Sequence, residues 1–481
     1  MATGDPLFDW RYVEAIQKVT AEQIRDAARR YFVPERLNRV IIAPPGGAPK
    51  PPGPEAKAAK GAVRMERLAN GLRVLLARHT NLPLVEIQAY VLAGSLVDSE
   101  ETAGRSTLVG AMLDKGTRQF TAAQIAEFFD SIGGRFHTGA GRNSVFASAT
   151  VLREDFSRAL AMLAECFTQP TFPAEEFEKA RQLALRAIAR RSDDPHQEAL
   201  ELFYDALPAT TPYHVIQGGK PETVRRLTVE DLRAYHARYF VPGNMIVAVF
   251  GDVDPEESLR LVQQHFGHLK PDPHFVPIDF SRDNAIPRPA IRHKQTGKPT
   301  GIIVLGYPGA SILNRQEDAA MIVLDAIISG YNCPGGWLFN ELRGRGLVYT
   351  VDAVQITGPA PGYLVIFAQT RPENLDEVLQ RIQSNVERAR SGHITPEEFA
   401  AAKDMVVALH LQENTTLGAQ AQLAAMYEMY GLGYEYDKTF EERIRAVRLE
   451  DVVRIARKCL NHYVLVTTSP KPASPRPPES K

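Results

Sequence analysis

The sequence predicts an α+β fold of two tandem homologous domains, in which mostly antiparallel sheets pack with helices. Three observations lead to this prediction. Runs of β-branched and aromatic residues are interspersed with amphipathic helical segments, no βαβ glycine fingerprint is present, and one helix-and-strand segment recurs along the chain. The 481 residues are enough for several domains with hydrophobic cores of their own.

The recurring segment occurs three times, at intervals of roughly 210–220 residues, which is typical of domain duplication. Its copies begin near Thr20, Leu227 and Val447, and Tyr31-Phe32-Val33-Pro34 matches Tyr239-Phe240-Val241-Pro242 residue for residue. Each copy is predicted to be the last helix and strand of a domain. The first copy is then the tail of a preceding homologous domain, and it must pack on something outside this chain or belong to a longer repeat protein.

The predicted organisation follows from these copies. It comprises the C-terminal tail of a preceding homologous domain (1–45), a proline-rich linker (46–62), a first whole domain (63–270), a second linker (271–289), a second whole domain (290–470) and a disordered tail (471–481). The predicted elements are strands over 72–76, 85–92 and 302–307, and helices over 103–113, 122–131, 175–191 and 317–328.

Residues 144–151 alternate between apolar and polar side chains, which is typical of a strand with one solvated face. At a sheet edge, such a strand accepts an extended peptide by strand addition. A stand-alone peptide-binding module that uses this edge is therefore one hypothesis for the function.

Charge, cysteine content and hydropathy exclude several classes of protein. Lysines and arginines number 56 and acidic residues 57, so a nucleic-acid or membrane partner is not expected. Cys166, Cys333 and Cys459 form no C-x-x-C pair, so neither a disulfide framework nor a cysteine zinc site is expected. No apolar run has membrane-spanning length, and residues 1–25 lack the apolar core of a signal peptide. As it stands the chain is expected to be soluble and cytoplasmic; a periplasmic location is the alternative if a natural N-terminus is missing.

The stretch 338–351 combines a helix end, a glycine turn and a strand. Gly344 and Gly346 are placed to end the helix in the left-handed conformation. The turn is predicted to carry Arg343 and Tyr349 out of regular structure, where a cation beside a phenol can clamp a carbonyl or carboxylate. The alternative is structural, with Arg343 as a helix C-terminal cation and Tyr349 as a half-buried strand residue.

Histidines offer weaker candidates for a site. His265, His268 and His274 could hold a metal, but they are more simply a solvated cluster in a proline-rich stretch. His137 and His214 stand alone and are expected to be structural or surface groups. No G-x-S-x-G, Walker or cysteine–histidine signature supports nucleophilic or nucleotide chemistry.

Residues 104–117, Gly-Arg-Ser-Thr-Leu-Val-Gly-Ala-Met-Leu-Asp-Lys-Gly-Thr, resemble the zinc-site helix of the pitrilysin/insulinase metallopeptidases, the inverzincins. Further pieces in the family's order are Ala93-Gly94-Ser95, Gly133-Gly134, Thr211-Pro212-Tyr213, Val249-Phe250-Gly251-Asp252 and Gly335-Gly336-Trp337-Leu338-Phe339. The resemblance covers nearly the whole chain, and it implies the fold of half of the family's clamshell.

The active half of that family carries H-x-x-E-H, whose histidines bind zinc while the glutamate activates the metal-bound water. The resemblance aligns the histidines with Thr107 and Ala111 and the glutamate with Gly110, and it places a third, glutamate ligand near Arg186 or Ala187. None of these residues is a zinc ligand of that kind, and a cation at Arg186 opposes a metal. We therefore expect no cofactor in this chain, and zinc in a partner half.

The resemblance also implies that the second domain lends an arginine and a tyrosine to the partner's zinc site, where they bind the substrate carbonyl and the developing oxyanion. Arg343 and Tyr349 match those positions, with an interval one residue shorter than the family's usual pattern, so Arg345 is an alternative contributor.

The expected function is the non-catalytic half of a pitrilysin-type zinc metalloendopeptidase, inactive alone. The expected partners are peptide substrates and an H-x-x-E-H-bearing homologous half, which is either a separate subunit or upstream in the same polypeptide. The alternative is an inert structural or docking protein of the same fold, like the core proteins of respiratory complexes.

Overall fold

A computed structural model describes residues 18–32, 62–331 and 333–472. They fall into two units, the short N-terminal segment and a body that comprises all the later residues. No helix within these ranges is long and apolar enough to cross a membrane.

Helix α1 (Ala21–Tyr31) is the element that the structure describes in the N-terminal segment. Thr20 caps it, because the Thr20 hydroxyl accepts from the Gln23 N–H while the Gln23 side chain accepts from the Thr20 N–H. The remainder of the predicted tail 1–45, most of the linker 46–62 and most of the tail 471–481 lie outside the described residues.

Sheet I is the six-stranded sheet of the body, with strand order β1-β2-β6-β3-β5-β4. Its strands are β1 (Arg64–Arg67), β2 (Arg73–Arg78), β3 (Leu84–Leu92), β4 (Arg135–Ala140), β5 (Ser144–Leu152) and β6 (Met245–Gly251). Only the β2–β6 pair is parallel. Strand β6 is buried at every residue, as expected of a central strand covered on both faces.

Helices connect and cover these strands. They are α2 (Arg105–Met112), α3 (Ala122–Ser131), α4 (Phe156–Thr168), α5 (Ala174–Arg191), α6 (Pro195–Ala206), α7 (Pro221–Arg226), α8 (Val229–Tyr239) and α9 (Pro255–Phe266). Thr121 and Thr228 close capping boxes at the starts of α3 and α8, and Asp194 and Asp254 cap α6 and α9 ahead of a first-turn proline. The hydrophobic core lies between one face of sheet I and these helices other than α6.

Sheet II has five strands in the order β7-β11-β8-β10-β9, with only β7 and β11 parallel. The strands are β7 (Ala290–Gln295), β8 (Gly301–Pro308), β9 (Val348–Ile356), β10 (Tyr363–Thr370) and β11 (Val464–Ser469). The order repeats the β2-β6-β3-β5-β4 run of sheet I, including the parallel pair. The prediction of an α+β fold with two mostly antiparallel sheets is confirmed.

The helices around sheet II complete the body. They are α10 (Arg315–Ser329), α11 (Leu375–Ser391), α12 (Pro396–Glu413), α13 (Leu417–Met429), α14 (Phe440–Ala446) and α15 (Leu449–Cys459). Their apolar faces and one face of sheet II form a second core. The three cysteines are free thiols, as expected.

Each sheet has its second face covered by a helix that belongs to the other sheet's part of the chain. Helix α6 packs on sheet II, where a Cβ added to Gly306 of β8 would lie 2.2 Å from a ring carbon of Phe203. Helix α13 packs on sheet I through small buried residues that include Ala421 and Ala425. The two sheets are therefore parts of one compact body.

Strand β5 lies inside sheet I and not at its edge. It pairs with β3 on one side and with β4 on the other, where Arg135 lies opposite Thr150 and Ala140 opposite Val145. The hypothesis of peptide addition to residues 144–151 is therefore wrong, because β4 already occupies their outer edge.

Candidate functional site

Helix α2 carries the three positions that the resemblance assigns to a zinc motif. It packs directly on the backbone of β4, because a Cβ added to Gly110 would lie 2.4 Å from the Gly139 carbonyl carbon and 2.6 Å from the Ala140 nitrogen. Real Cβ atoms essentially never approach other atoms so closely. The position that carries a glutamate in an active half therefore leaves no space here for any side chain.

The other motif positions also fail to fit a zinc ion. The Thr107 hydroxyl is buried without a hydrogen-bond partner, and Ala111 is exposed and has no ligand atom. On α5, Arg186 and Ala187 are both exposed. Within the described part of the chain, no group of three histidine, cysteine or acidic side chains is placed to hold a metal ion.

Strand β4 is the edge strand beside α2. It pairs with β5 on one side only, so its outer backbone groups face away from sheet I. Gly139 lies close to Phe146, since an added Cβ would lie 3.0 Å from the Phe146 ring and would require that ring to shift slightly. The polar, glycine-containing run gave no strand signal in the sequence, although it forms the edge that is open to strand addition.

The predicted arginine–tyrosine stretch forms a compact corner beside sheet II. A helical turn, Gly336–Leu338, continues into a π-helical turn, Phe339–Arg343, and β9 begins at Val348. Gly346 has φ +68° and ends the helical segment as expected, whereas Gly344 has φ −59° and is not left-handed. The expectation that Arg343 and Tyr349 leave regular structure is therefore wrong: the first ends the π-helical turn and the second lies in β9.

Backbone and side-chain hydrogen bonds fix this corner. Arg343 Nη1 donates to the Val348 carbonyl at 3.0 Å, and the Leu347 N–H donates to the Leu342 carbonyl at 3.0 Å. The Thr370 hydroxyl donates to the Leu347 carbonyl at 2.6 Å. Because Leu342 and Val348 are also buried, the direction in which β9 leaves the turn is well determined.

Tyr349 lies at a β-bulge in the edge strand β9. Thr350 pairs with Gln369 and Val348 with Thr370, so Tyr349 is the extra residue between them. A bulge redirects a side chain at a sheet edge. Tyr349 is 50% exposed, which agrees with the alternative of a half-buried strand residue and leaves part of its side chain available to a ligand.

Two charged residues beside Arg343, Glu341 and Arg345, differ in their surroundings. Glu341 accepts from Arg381 at 2.7 Å and from Asn385 at 2.8 Å. Burial alone would raise the pKa of Glu341, but these two donors hold it below its ordinary value. The Arg345 side chain is exposed and has no side-chain hydrogen bond or ion pair among the residues that the structure describes, while its backbone N–H donates to the Glu341 carbonyl at 3.3 Å and its charge also lowers the pKa of Glu341.

The histidine candidates do not converge on this corner. His265 and His268 line a surface hollow beside α4, where burial and then the second imidazole lower the pKa of the first. His274 is exposed in the following loop, and His137 is exposed on β4. The Nδ1 atom of His214 lies 2.6 Å from a backbone carbonyl oxygen, in agreement with a structural role.

Comparison with protein families gives two successive matches, and the boundary between them lies before β6, the last strand of sheet I. Residues 73–213 match the family described as insulinase (peptidase family M16), and residues 226–406 match the peptidase M16 inactive domain. The first match includes α2 with its altered motif, and the second includes the Arg343 corner.

Similar proteins extend over most of the chain. An uncharacterized zinc protease of Rickettsia felis is 28% identical over 417 residues, covering 84% of this chain and 96% of its own. An uncharacterized zinc protease of Mycobacterium leprae is 26% identical over 434 residues, covering 85% and 93%.

Two solved structures share the fold. A peptidase M16 inactive domain from Pseudomonas fluorescens has a TM-score of 0.78 and 24% identity, and covers 86% of this chain and 99% of its own. A protease from Helicobacter pylori also has a TM-score of 0.78, with 20% identity and coverage of 85% and 100%. This chain belongs to the insulinase family of peptidases, M16.

Proposed function

We propose that the chain is the non-catalytic half of an M16 zinc metalloendopeptidase, which completes the active site of an H-x-x-E-H-bearing partner half. The observation that carries the proposal is a contrast between two regions. Helix α2 has neither zinc ligands nor space for them at Gly110, while the corner at Arg343 and Tyr349 is well fixed and presents an exposed phenol.

The chemistry of the corner is that of an oxyanion clamp. A guanidinium has five N–H donors in a planar fork, so Arg343 retains donors after one N–H binds the Val348 carbonyl. The Tyr349 hydroxyl supplies a further donor from the bulge. Donors fixed before the reaction stabilise negative charge on a carbonyl oxygen as it develops. The partner's zinc would supply the activated water that attacks the carbonyl carbon.

The edge of β4 provides the peptide-binding surface in this proposal. Its outer backbone groups pair with an extended substrate, except at the Ala140 carbonyl, which already accepts from Gln217 at 2.7 Å. Side chains of alternate substrate residues point to opposite faces. Main-chain pairing is tolerant of sequence, which suits an enzyme acting on peptides or unfolded segments.

The test is turnover of a fluorogenic peptide by the chain mixed with an H-x-x-E-H-bearing homologue from the same organism. The chain alone is expected to be inactive, and the mixture active. Tyr349→Phe and Arg343→Ala should each lower kcat by about 10²-fold, the size typical for loss of one oxyanion donor. Arg371→Ala removes an exposed cation that pairs with Glu373 at the surface, and it should leave turnover unchanged.

A structural or docking role is the second candidate. It is favoured by one observation, the hydrogen bond from Arg343 to Val348, because this bond makes the arginine part of the turn's own framework. If Tyr349→Phe and Arg343→Ala leave both assembly and turnover unchanged, the chain is a scaffold. Stoichiometric zinc retained by the purified chain through dialysis would contradict the proposed non-catalytic role.

A further inference from the structure

Helix α1 presents an uncovered apolar face. Ile24, Tyr31 and Phe32 are 61%, 58% and 87% exposed. They lie at helical positions i, i+7 and i+8, with Ala27 and Ala28 between them on the same face. Large apolar side chains grouped on one helical face indicate a surface that another element covers.

The body contains a close counterpart of α1. Helix α8 has the same length, and its Thr228 forms the same capping box as Thr20. The C-terminal caps also agree, since Phe32 has φ −93° and ψ 64°, and Phe240 has φ −90° and ψ 58°. In each helix the cap N–H donates to the carbonyl four residues earlier. The agreement in sequence between these segments therefore extends to their local structure.

Helix α15 is a second counterpart, of the same length and with its cap Leu460 at φ −87° and ψ 40°. The residues that correspond to Ile24, Tyr31 and Phe32 are buried in both counterparts. Their exposed fractions are 0% for Leu232, 6% for Tyr239 and 8% for Phe240 in α8, and 0% for Val452, 5% for Cys459 and 1% for Leu460 in α15.

The structure also shows what covers this face in α8. Phe240 packs on Phe167 of α4 with ring centroids 4.9 Å apart, and the hydroxyl of Tyr235 accepts from the Gly94 N–H at 2.9 Å. After α8 the chain enters β6, between β2 and β3, and after α15 it enters β11, between β7 and β8. In a peptidase-like domain, the helices of that domain therefore cover this face, and the chain continues from the helix directly into the central strand of the same sheet.

We propose that residues 18–32 form the closing helix of a third peptidase-like domain, and that their apolar face docks on a partner domain of this fold that lacks its own closing helix and strand. Within residues 62–472, α8 with β6 and α15 with β11 already fill both such positions. The partner is defined by its fold and requires neither zinc nor turnover, so the inference goes beyond the proposed function.

A transplant within the full-length chain tests whether the apolar face of α1 can replace the corresponding face of α8. Residues 20–34 replace residues 228–242, with Ala27→Tyr in the transplant to restore the hydroxyl that binds Gly94. The transplant should stay soluble, unfold in one cooperative transition and protect its helix from hydrogen exchange. A matched transplant that also carries Ile24→Glu and Phe32→Glu should lose all three properties. Equal behaviour of the two transplants would overturn the proposal.

Docking between chains is tested with the intact protein. The probe is an H-x-x-E-H-bearing M16 chain of the same organism, used full-length and truncated before the closing helix of its second domain. The intact chain should bind only the truncated probe, and Ile24→Glu should weaken binding by about 30-fold, the effect of losing one buried anchor. Arg25→Glu, on another face of α1, should bind normally. Equal binding of both probes, or no effect of Ile24→Glu, would refute the docking.

If the truncated probe does not fold, the transplant decides alone. Neither readout depends on turnover, so failure of the docking and failure of the proposed function are separate results.

Discussion

Replacing Gly110 by alanine tests whether α2 truly has no space for the family's glutamate. In an unconstrained helix interior, glycine to alanine stabilises by about 0.5–1 kcal/mol. Here the new methyl would lie 2.4 Å from the Gly139 carbonyl carbon, and this neighbour is backbone that cannot rotate away. Overpacking of this kind costs about 1–3 kcal/mol, so we expect a net loss in the free energy of unfolding of about 1–2 kcal/mol.

Urea denaturation followed by circular dichroism measures this loss, with thermal melts as a second readout in which Tm should fall by about 1–2 °C. The matched control is Gly243→Ala, because an added Cβ at Gly243 meets nothing within 4 Å. Its stability should stay within about 0.5 kcal/mol of the original chain. A neutral or stabilising Gly110→Ala would show that β4 yields readily, and the steric part of the argument against a zinc site would then fail.

Three further predictions concern stability. Burial raises the pKa of the Asp318 carboxyl to about 7. Its stabilising contribution is therefore complete below the unfolded pKa of about 4 and is lost as the pH rises through 7. In buffered thermal melts, Asp318→Asn should raise Tm at pH 8 and raise it less at pH 5. Glu198 accepts from two lysines at 2.7 Å, which hold its pKa below the ordinary value against the effect of burial. In urea titrations, Glu198→Gln should lower the free energy of unfolding by about 1–3 kcal/mol at pH 7, and by less as the pH falls below about 4. Phe203→Ala should lower the free energy of unfolding by about 3–5 kcal/mol. Gly306→Ala should be strongly destabilising alone, because the new methyl meets the Phe203 ring, and less destabilising in the Phe203→Ala variant. A double-mutant cycle measures this difference.

Local features of the fold were predictable because they depend on nearby residues. The helix over 122–131 was predicted to its terminal residues, since the apolar period begins directly after the capping Thr121. The helix start at Thr20 and the left-handed Gly346 have the same basis. In each case the physical cause lies within a few residues of the effect.

Features that depend on distant partners were not predictable. Tyr349 is redirected by a bulge that exists only because its strand pairs with the strand of Thr370. The strand β4 was not predictable, because Gly139 resembles a loop residue in the sequence. Its close contact with Phe146 of the neighbouring strand exists only in the fold. Likewise, the periodicity of α6 indicates an apolar face but not which sheet that face covers.

Helix α6 covers sheet II and helix α13 covers sheet I, and this arrangement determines the order in which the body is completed during synthesis. Strand β6 ends at Gly251, yet the helix that shields the second face of its sheet is finished only at Met429. At about 5–20 residues per second, a nascent chain therefore carries a bare apolar sheet face for roughly 10–35 s. A break anywhere between these two points leaves the first sheet permanently without its cover, so the earlier half depends on residues that the ribosome supplies last.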